Sequence, residues 1–217
     1  MSADQRNFHC WNYRRYIVIL GAVSPSKEIH FSLTKIQENF SNYSAFHHRS
    51  VYIKDNLSNS PTEVLPEELA LIENAIFTEP DDQSAWWYHQ FLFTWIEKVI
   101  SAAGAVETSR LLEPLPSNLN PPDYSWLLSI INQQLDMLQS LIEIEPDCKW
   151  ALITRSSLLQ KCVTCAEKID NASAVLGVDM RGYIDTKLGE SKELLSHLCV
   201  IDSAHKLRYE YLLSNIL

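Results

Sequence analysis

Asn7-Phe8-His9-Cys10-Trp11-Asn12-Tyr13-Arg14 is an eight-residue pattern that returns twice in register, as Asn42-Tyr43-Ser44-Ala45-Phe46-His47-His48-Arg49 and as Asp82-Gln83-Ser84-Ala85-Trp86-Trp87-Tyr88-His89. A looser fourth copy is Glu145-Pro146-Asp147-Cys148-Lys149-Trp150. Each copy reads as the opening of a helix. Asn or Asp caps the first turn, the aromatic four residues on points into a stack, and Arg or His one turn later falls on the same side. The anchors Trp11, Phe46 and Trp86 are spaced by 35 and 40 residues, a period that belongs to repeats of paired helices.

Working outward from the openings, the segment before each one supplies a second amphipathic helix. Behind Pro66, read as a first-turn proline with Glu67 and Glu68 beside it, Leu69, Ile72 and Ile76 fall at helical spacing. From Asp123, Leu127, Ile131, Leu135, Leu138 and Ile142 do the same up to the Glu145-Pro146 break. Further helices are expected at about 147–168, 181–200 and 203–216, with a weak linker at about 170–178. Pro114, Pro116, Pro121 and Pro122 mark a surface loop at about 107–122. A lone hairpin cannot bury both apolar faces, so the expected fold is all-α, a right-handed α-α superhelix in which hairpins stack as a solenoid. The organisation expected is one repeat domain over 1–217 with openings near 7, 42, 82 and 147. Asn7 starts the second helix of a pair with almost nothing before it, which predicts an N-terminally truncated chain with an exposed apolar end.

Composition agrees with a helical globular chain. The 217 residues are 46% hydrophobic and 21% charged, and 5 Gly with 9 Pro leave too few tight turns for a sandwich or barrel. A formal charge of -9 is the wrong sign for neutralising phosphates, so no nucleic-acid partner is expected. No apolar run reaches the length of a membrane span, and Asp4, Gln5, Arg6 and Asn7 interrupt any leader, so stable membrane insertion is not expected and the chain is placed in the cytoplasm. Cys10, Cys148, Cys162, Cys165 and Cys199 are odd in number and scattered, as reduced thiols are. Asn42-Tyr43-Ser44 is then a chance glycosylation match. Cys162-Val163-Thr164-Cys165 has the spacing of a zinc pair, but a closed site needs four ligands and no second pair stands at a fitting distance. Asp81-Asp82 lacks the further acid of a magnesium-diphosphate motif and reads as a cap, so no metal is expected in this chain.

The three full copies resemble the helix opening Asn/Asp-Tyr-small-small-Trp-x-x-Arg of the protein prenyltransferase alpha subunits. Arg6 to Arg15, Asn39 to Ser50 and Asp81 to His89 are more similar to the Rab-geranylgeranylating branch than to the branch shared by farnesyltransferase and the type I geranylgeranyl enzyme. The likeness is dense from 6 to about 94 and thinner from 123 onward, and the immunoglobulin-like insert and leucine-rich repeats of some members have no counterpart. The resemblance implies a crescent of hairpins wrapped around a beta subunit that holds the catalytic zinc and the lipid pocket. It also implies transfer of geranylgeranyl from its diphosphate to C-terminal cysteines of a Rab GTPase presented by a Rab escort protein, with zinc activating the thiol. Two other readings stay open, the alpha subunit of the farnesyl and type I enzymes and a non-catalytic helical-repeat adaptor.

By the same resemblance Arg6 occupies the position of a lysine that reaches the lipid diphosphate, while a solvated arginine at a helix start is the plain alternative. His9 is a weaker candidate for that contact, set against an ordinary packed or capping histidine. Trp11, Phe46, Trp86 and Trp150 are expected as core anchors of the repeats. Tyr13, Arg14, Asn42, Tyr43, His47, Arg49, Tyr88 and His89 are candidates for the beta-subunit interface. For Arg14, Arg49 and His89 the alternative is pairing with carboxylates of neighbouring helices; for the other five it is hydrogen bonding within the repeat.

Overall fold

A computed structural model describes residues 6–109, 123–172 and 180–216, and among these every regular element is helical. The chain divides into two compact units, Met1–Glu113 and Pro114–Leu217.

In the first unit α1 (Phe8–Leu20) begins where the Asn7 side chain accepts from the backbone N–H groups of His9 and Cys10, at 3.0 and 3.2 Å. Two donors that the helix itself cannot satisfy are thereby paired. The helix closes with Val23 N–H donating to Val18 C=O, and the left-handed residue of that closure is Ala22, φ 45°, one position after Gly21. Helices α2 (Pro25–Glu38) and α3 (Tyr43–Tyr52) form the next hairpin, with Asn42 accepting from Ala45 N–H at 3.1 Å. A short α4 (Lys54–Asn59) leads to the last pair, α5 (Pro61–Thr78) and α6 (Gln83–Ser109), with Asp82 accepting from Ser84 N–H at 2.8 Å.

Pro61, not Pro66, holds the first-turn position of α5. Pro66 lies inside the helix, on its exposed side, where the missing N–H and the ring face water and not the stack. The core is drawn from every helix of the unit. Trp11, Ile36, Phe46, Leu57, Leu65, Ile72, Ile76, Leu92, Phe93 and Ile96 are all buried. At about 1.5 to 3 kcal/mol per large apolar side chain, this burial is the main force holding the hairpins in register.

In the second unit α7 (Tyr124–Ile144) is capped by Asp123, which accepts from Trp126 N–H at 2.8 Å. Its stripe Leu127, Ile131, Leu135 and Leu138 is buried, and the helix stops before Glu145-Pro146. Helix α8 (Lys149–Ala172) packs against both α7 and α9 (Met180–Ile201). The α8–α9 contact includes the Ser156 and Ser191 hydroxyls 2.9 Å apart, small side chains that let two helices come close. A 3-10 turn, Ser203–His205, leads into α10 (Lys206–Ser214), where Tyr209 joins Leu152, Leu195 and Leu198 and donates to Asp202 at 2.8 Å. Helix α6 runs through Ser109 and α8 through Ala172. The remainder of the expected loop, 110–122, and most of the expected linker, 173–178, lie outside the described residues.

Candidate functional site

Two of the repeated cations, Arg14 and Arg49, meet glutamates of the helices that follow them. Arg14 meets Glu28 in a two-bonded pair, Nε to Oε2 at 2.7 Å and Nη2 to Oε1 at 2.8 Å, with its guanidinium 3.3 Å from the centre of the Phe31 ring. Arg49 repeats the arrangement with Glu68, at 2.7 and 2.5 Å, and its Nη1 also donates to the Ile29 carbonyl at 2.8 Å. Each glutamate takes a further bond from the next helix of the series. Glu28 is 2.8 Å from His48 Nε2, and Glu68 accepts from the Tyr88 hydroxyl at 2.8 Å. Both links span 20 residues, so one glutamate per hairpin ties the preceding repeat to its own second helix.

Burial controls the chemistry of this ladder. It pushes the Glu28 carboxyl up, but hydrogen bonds from Arg14 and His48 outweigh it and hold the group below its ordinary range, ionised at neutral pH. For His48 burial wins over the pull of Glu28 and lowers the pKa, and Nδ1 is buried with no hydrogen-bond partner. The neutral imidazole with its proton on Nε2 fits both facts, because a second N–H would meet no acceptor. Burial pulls the Arg49 pKa down, while the bonds to Glu68 raise it further and keep the guanidinium charged. Burial and the neighbouring Glu68 push the Tyr88 hydroxyl well above its ordinary value, so it acts only as a neutral donor.

A second arrangement lies on the surface of the same unit. Tyr43, His47 and Trp87 contact one another, with ring centroids 5.0 Å apart for Tyr43–Trp87 and 5.8 Å for His47–Trp87. Phe91 and Trp95 extend the stripe along α6 at one-turn spacing. Lys54 and Lys98 lie 5.0 and 5.9 Å from the Trp95 ring centre, and Arg15 reaches His47 Nδ1 at 3.2 Å. Trp87, Phe91, Trp95, Lys54 and Lys98 line a 310 Å³ depression in a chain whose net charge is strongly negative. Partly exposed aromatic rings between cations are suited to a partner segment with apolar and carboxylate groups.

The structure sorts the candidate residues accordingly. Trp11, Phe46 and Trp86 are buried, and Trp150 is half-buried with Lys149 above its ring. Asn42, Arg49, Tyr88 and His89 are buried within the unit, and Arg14, partly exposed, is tied to Glu28. Tyr13 and Tyr43 are exposed, and His47 is half-exposed beside Trp87. Arg6 is exposed in the turn before α1, and His9 is exposed on its first turn. Among the described residues no three His, Cys, Asp or Glu side chains stand together as a metal set, and Cys162 and Cys165 are both buried.

Sequence reasoning passed over Glu28 and the stripe Trp87–Phe91–Trp95, and read Glu68 only as an acid in the first turn beside Pro66. The only signal for the glutamates was their constant 20-residue lead on His48 and Tyr88. The fourth copy breaks the ladder: Leu152 and Ile153 stand where the polar pair would be.

Helical hairpins joined by a recurring Arg–Glu bridge define a class of helical-repeat protein. A family model described as Protein prenyltransferase alpha subunit repeat matches residues 1–19, 25–55 and 65–96. It is 45% identical over 100 residues to the geranylgeranyl transferase type-2 subunit alpha of Rattus norvegicus, covering 42% of this chain and 18% of that protein. The protein of the same name from Schizosaccharomyces pombe is 32% identical over 173 residues, 69% of this chain and 44% of its own length. The one from Dictyostelium discoideum is 29% identical over 219 residues, 100% of this chain and 56% of its own. The chain thus spans between 18% and 56% of these relatives' lengths. No helix among the described residues is long and apolar enough to cross a membrane.

Proposed function

We propose that this chain acts as the alpha subunit, or part of it, of a Rab geranylgeranyltransferase. In this reading it is a cytoplasmic, catalytically silent partner that assembles with a beta subunit. The complex transfers geranylgeranyl from geranylgeranyl diphosphate to C-terminal cysteines of a Rab GTPase presented by a Rab escort protein. The observation that carries the reading is similarity to three proteins named geranylgeranyl transferase type-2 subunit alpha, in one case along the whole chain.

The chain's own contribution is positional. The buried ladder fixes the angle between hairpins, and the aromatic stripe from Tyr43 and His47 to Trp95 offers a surface of matching chemistry to the beta subunit. The zinc that activates the accepting thiol belongs to the beta subunit in this reading. Arg6, exposed before α1, would add a fixed positive charge where the diphosphate departs, with His9 close by on the same helix opening.

Co-expression with a Rab-type beta subunit, size exclusion and a prenyl-transfer assay with a Rab and its escort protein test the reading. A one-to-one complex with activity, in which Arg6→Ala lowers kcat/KM by about tenfold or more without loss of assembly, is the expected result. Failure to assemble, under conditions where a longer alpha subunit does, would remove the transferase reading in favour of an adaptor.

A further inference from the structure

Arg14, Lys35, Arg49, Arg155, Lys187 and Lys206 each stand within ion-pair distance of a glutamate. With 27 acids against 18 lysines and arginines, that is the expected state of a positive side chain in this protein. Lys54 and Lys98 depart from it. Among the described residues neither has a carboxylate partner, and both stand instead over Trp95, 5.0 and 5.9 Å from its ring centre. The indole is held in place by its N–H, which donates to Ser58 Oγ at 3.2 Å. From Trp95 the rings of Phe91 and Trp87 follow along α6 with centroid spacings of 6.4 and 6.1 Å, and Trp87 lies 5.8 Å from His47. At that far end Arg15 Nη2 donates to His47 Nδ1 at 3.2 Å, so the imidazole carries its proton on Nε2. Burial, with the charges of Arg15 and Lys54, holds the His47 pKa below its ordinary value and keeps the ring neutral. The stripe thus has positive charge at both ends and aromatic faces between them.

We infer that this stripe binds an acidic segment of a partner chain, with apolar side chains against Trp87, Phe91 and Trp95 and a carboxylate at each end, one met by Arg15 and His47 and the other by Lys54 and Lys98. Spacing selects the occupant. Trp87 and Trp95 are eight residues apart on one helix, a rise of about 12 Å. A single phosphate or carboxylate cannot reach both ends, whereas a helical segment with acids two turns apart can. Charge selects the sign. On a chain of net charge -9, lysines without an internal acid make a local positive field that draws in and orients an acidic segment and turns away a basic one. The same excess of acid disfavours a nucleic acid, whose phosphates would run on past the stripe over a negative chain. The inference rests on the reading of this stripe as a partner surface and adds the chemistry of the segment that it takes.

The probe is a fluorescein-labelled peptide of alanine and leucine that carries glutamates two helical turns apart on its leucine face, titrated with the full 217-residue chain and followed by anisotropy. Saturable binding that weakens with added salt is expected, and a control peptide with glutamine in place of glutamate should bind about tenfold more weakly. Lys98→Glu should weaken binding of the acidic peptide by about tenfold, while Lys27→Glu, the same change of charge outside the stripe, should leave it within about twofold. Both lysines are exposed, so neither change should move the thermal midpoint of the chain. Four results would overturn the inference: no saturable binding, equal binding of the glutamine peptide, a loss from Lys27→Glu as large as that from Lys98→Glu, or tighter binding of a single-stranded oligonucleotide of equal charge. The last would give the stripe to a nucleic acid. No beta subunit is present in this titration, so failure of the peptide to bind and failure of the chain to assemble are separate results.

Discussion

Arg49 and Glu68, 19 residues apart on α3 and α5, form a doubly hydrogen-bonded ion pair with side chains only 6% and 4% exposed. Each neutralises a charge that the interior could not otherwise hold. Removing one partner should therefore cost more than removing both. Glu68→Gln is expected to destabilise the first unit by about 3 to 5 kcal/mol, and Arg49→Met combined with Glu68→Leu by less than the single change. Urea unfolding of the parent and the two variants measures this, and a double variant weaker than Glu68→Gln would contradict it.

Trp86 carries the third repeat. It is 4% exposed, and its indole N–H donates to the Pro80 carbonyl at 2.8 Å, which joins the turn before α6 to the core. Trp86→Ala should cost about 3 to 5 kcal/mol through lost burial and the cavity left behind. A thermal midpoint within a degree or two of the parent would rule out the anchor role.

Acid should weaken the first unit in two stages. His48 is held neutral below its ordinary pKa of 6.5, so the unfolded chain takes up a proton there before the folded one does. Stability then falls as pH drops below about 6.5, toward the lowered folded value. His47, lowered by burial and by Arg15 and Lys54, adds in the same direction. Glu28, lowered from 4.5, contributes stability above that value that is lost as pH falls through its folded pKa. His48→Gln keeps a donor for Glu28 without a titrating ring, so it should flatten the slope between pH 7 and 5. Denaturant midpoints across that range give the answer, and an unchanged slope would show that His48 does not set it.

The end of α1 carries a correctable strain. Ala22 sits at φ 45°, a region that disfavours a side chain. Ala22→Gly should stabilise the unit by about 0.5 to 1 kcal/mol, net of the extra freedom gained by the unfolded chain. Equal or lower stability by calorimetry would mean that the surrounding turn already absorbs the strain.

The helix openings were readable because their determinants are local. Asn7, Asn42, Asp82 and Asp123 each cap the helix that follows within three residues, and the anchors Trp11, Phe46 and Trp86 declare the repeat by their spacing. The start of α5 was misread because Pro61 and Pro66 are both acceptable near a helix start, and only the packing of Leu65 shows that the helix is already under way.

The partners of the repeated cations could not be read in the same way. Helix α5 alone holds Glu63, Glu67, Glu68 and Glu73, and nothing local distinguishes the one that Arg49 takes. The chain by itself determined where the capped helices of the repeat openings start and that the anchors Trp11, Phe46 and Trp86 turn inward, since capping and apolar periodicity act within one or two turns. Tertiary structure alone decided that Glu68 is buried between Arg49 and Tyr88, and Glu28 between Arg14 and His48. The angle at which hairpins stack brings those side chains together, and Coulomb attraction in a dry interior is strong enough to keep them there.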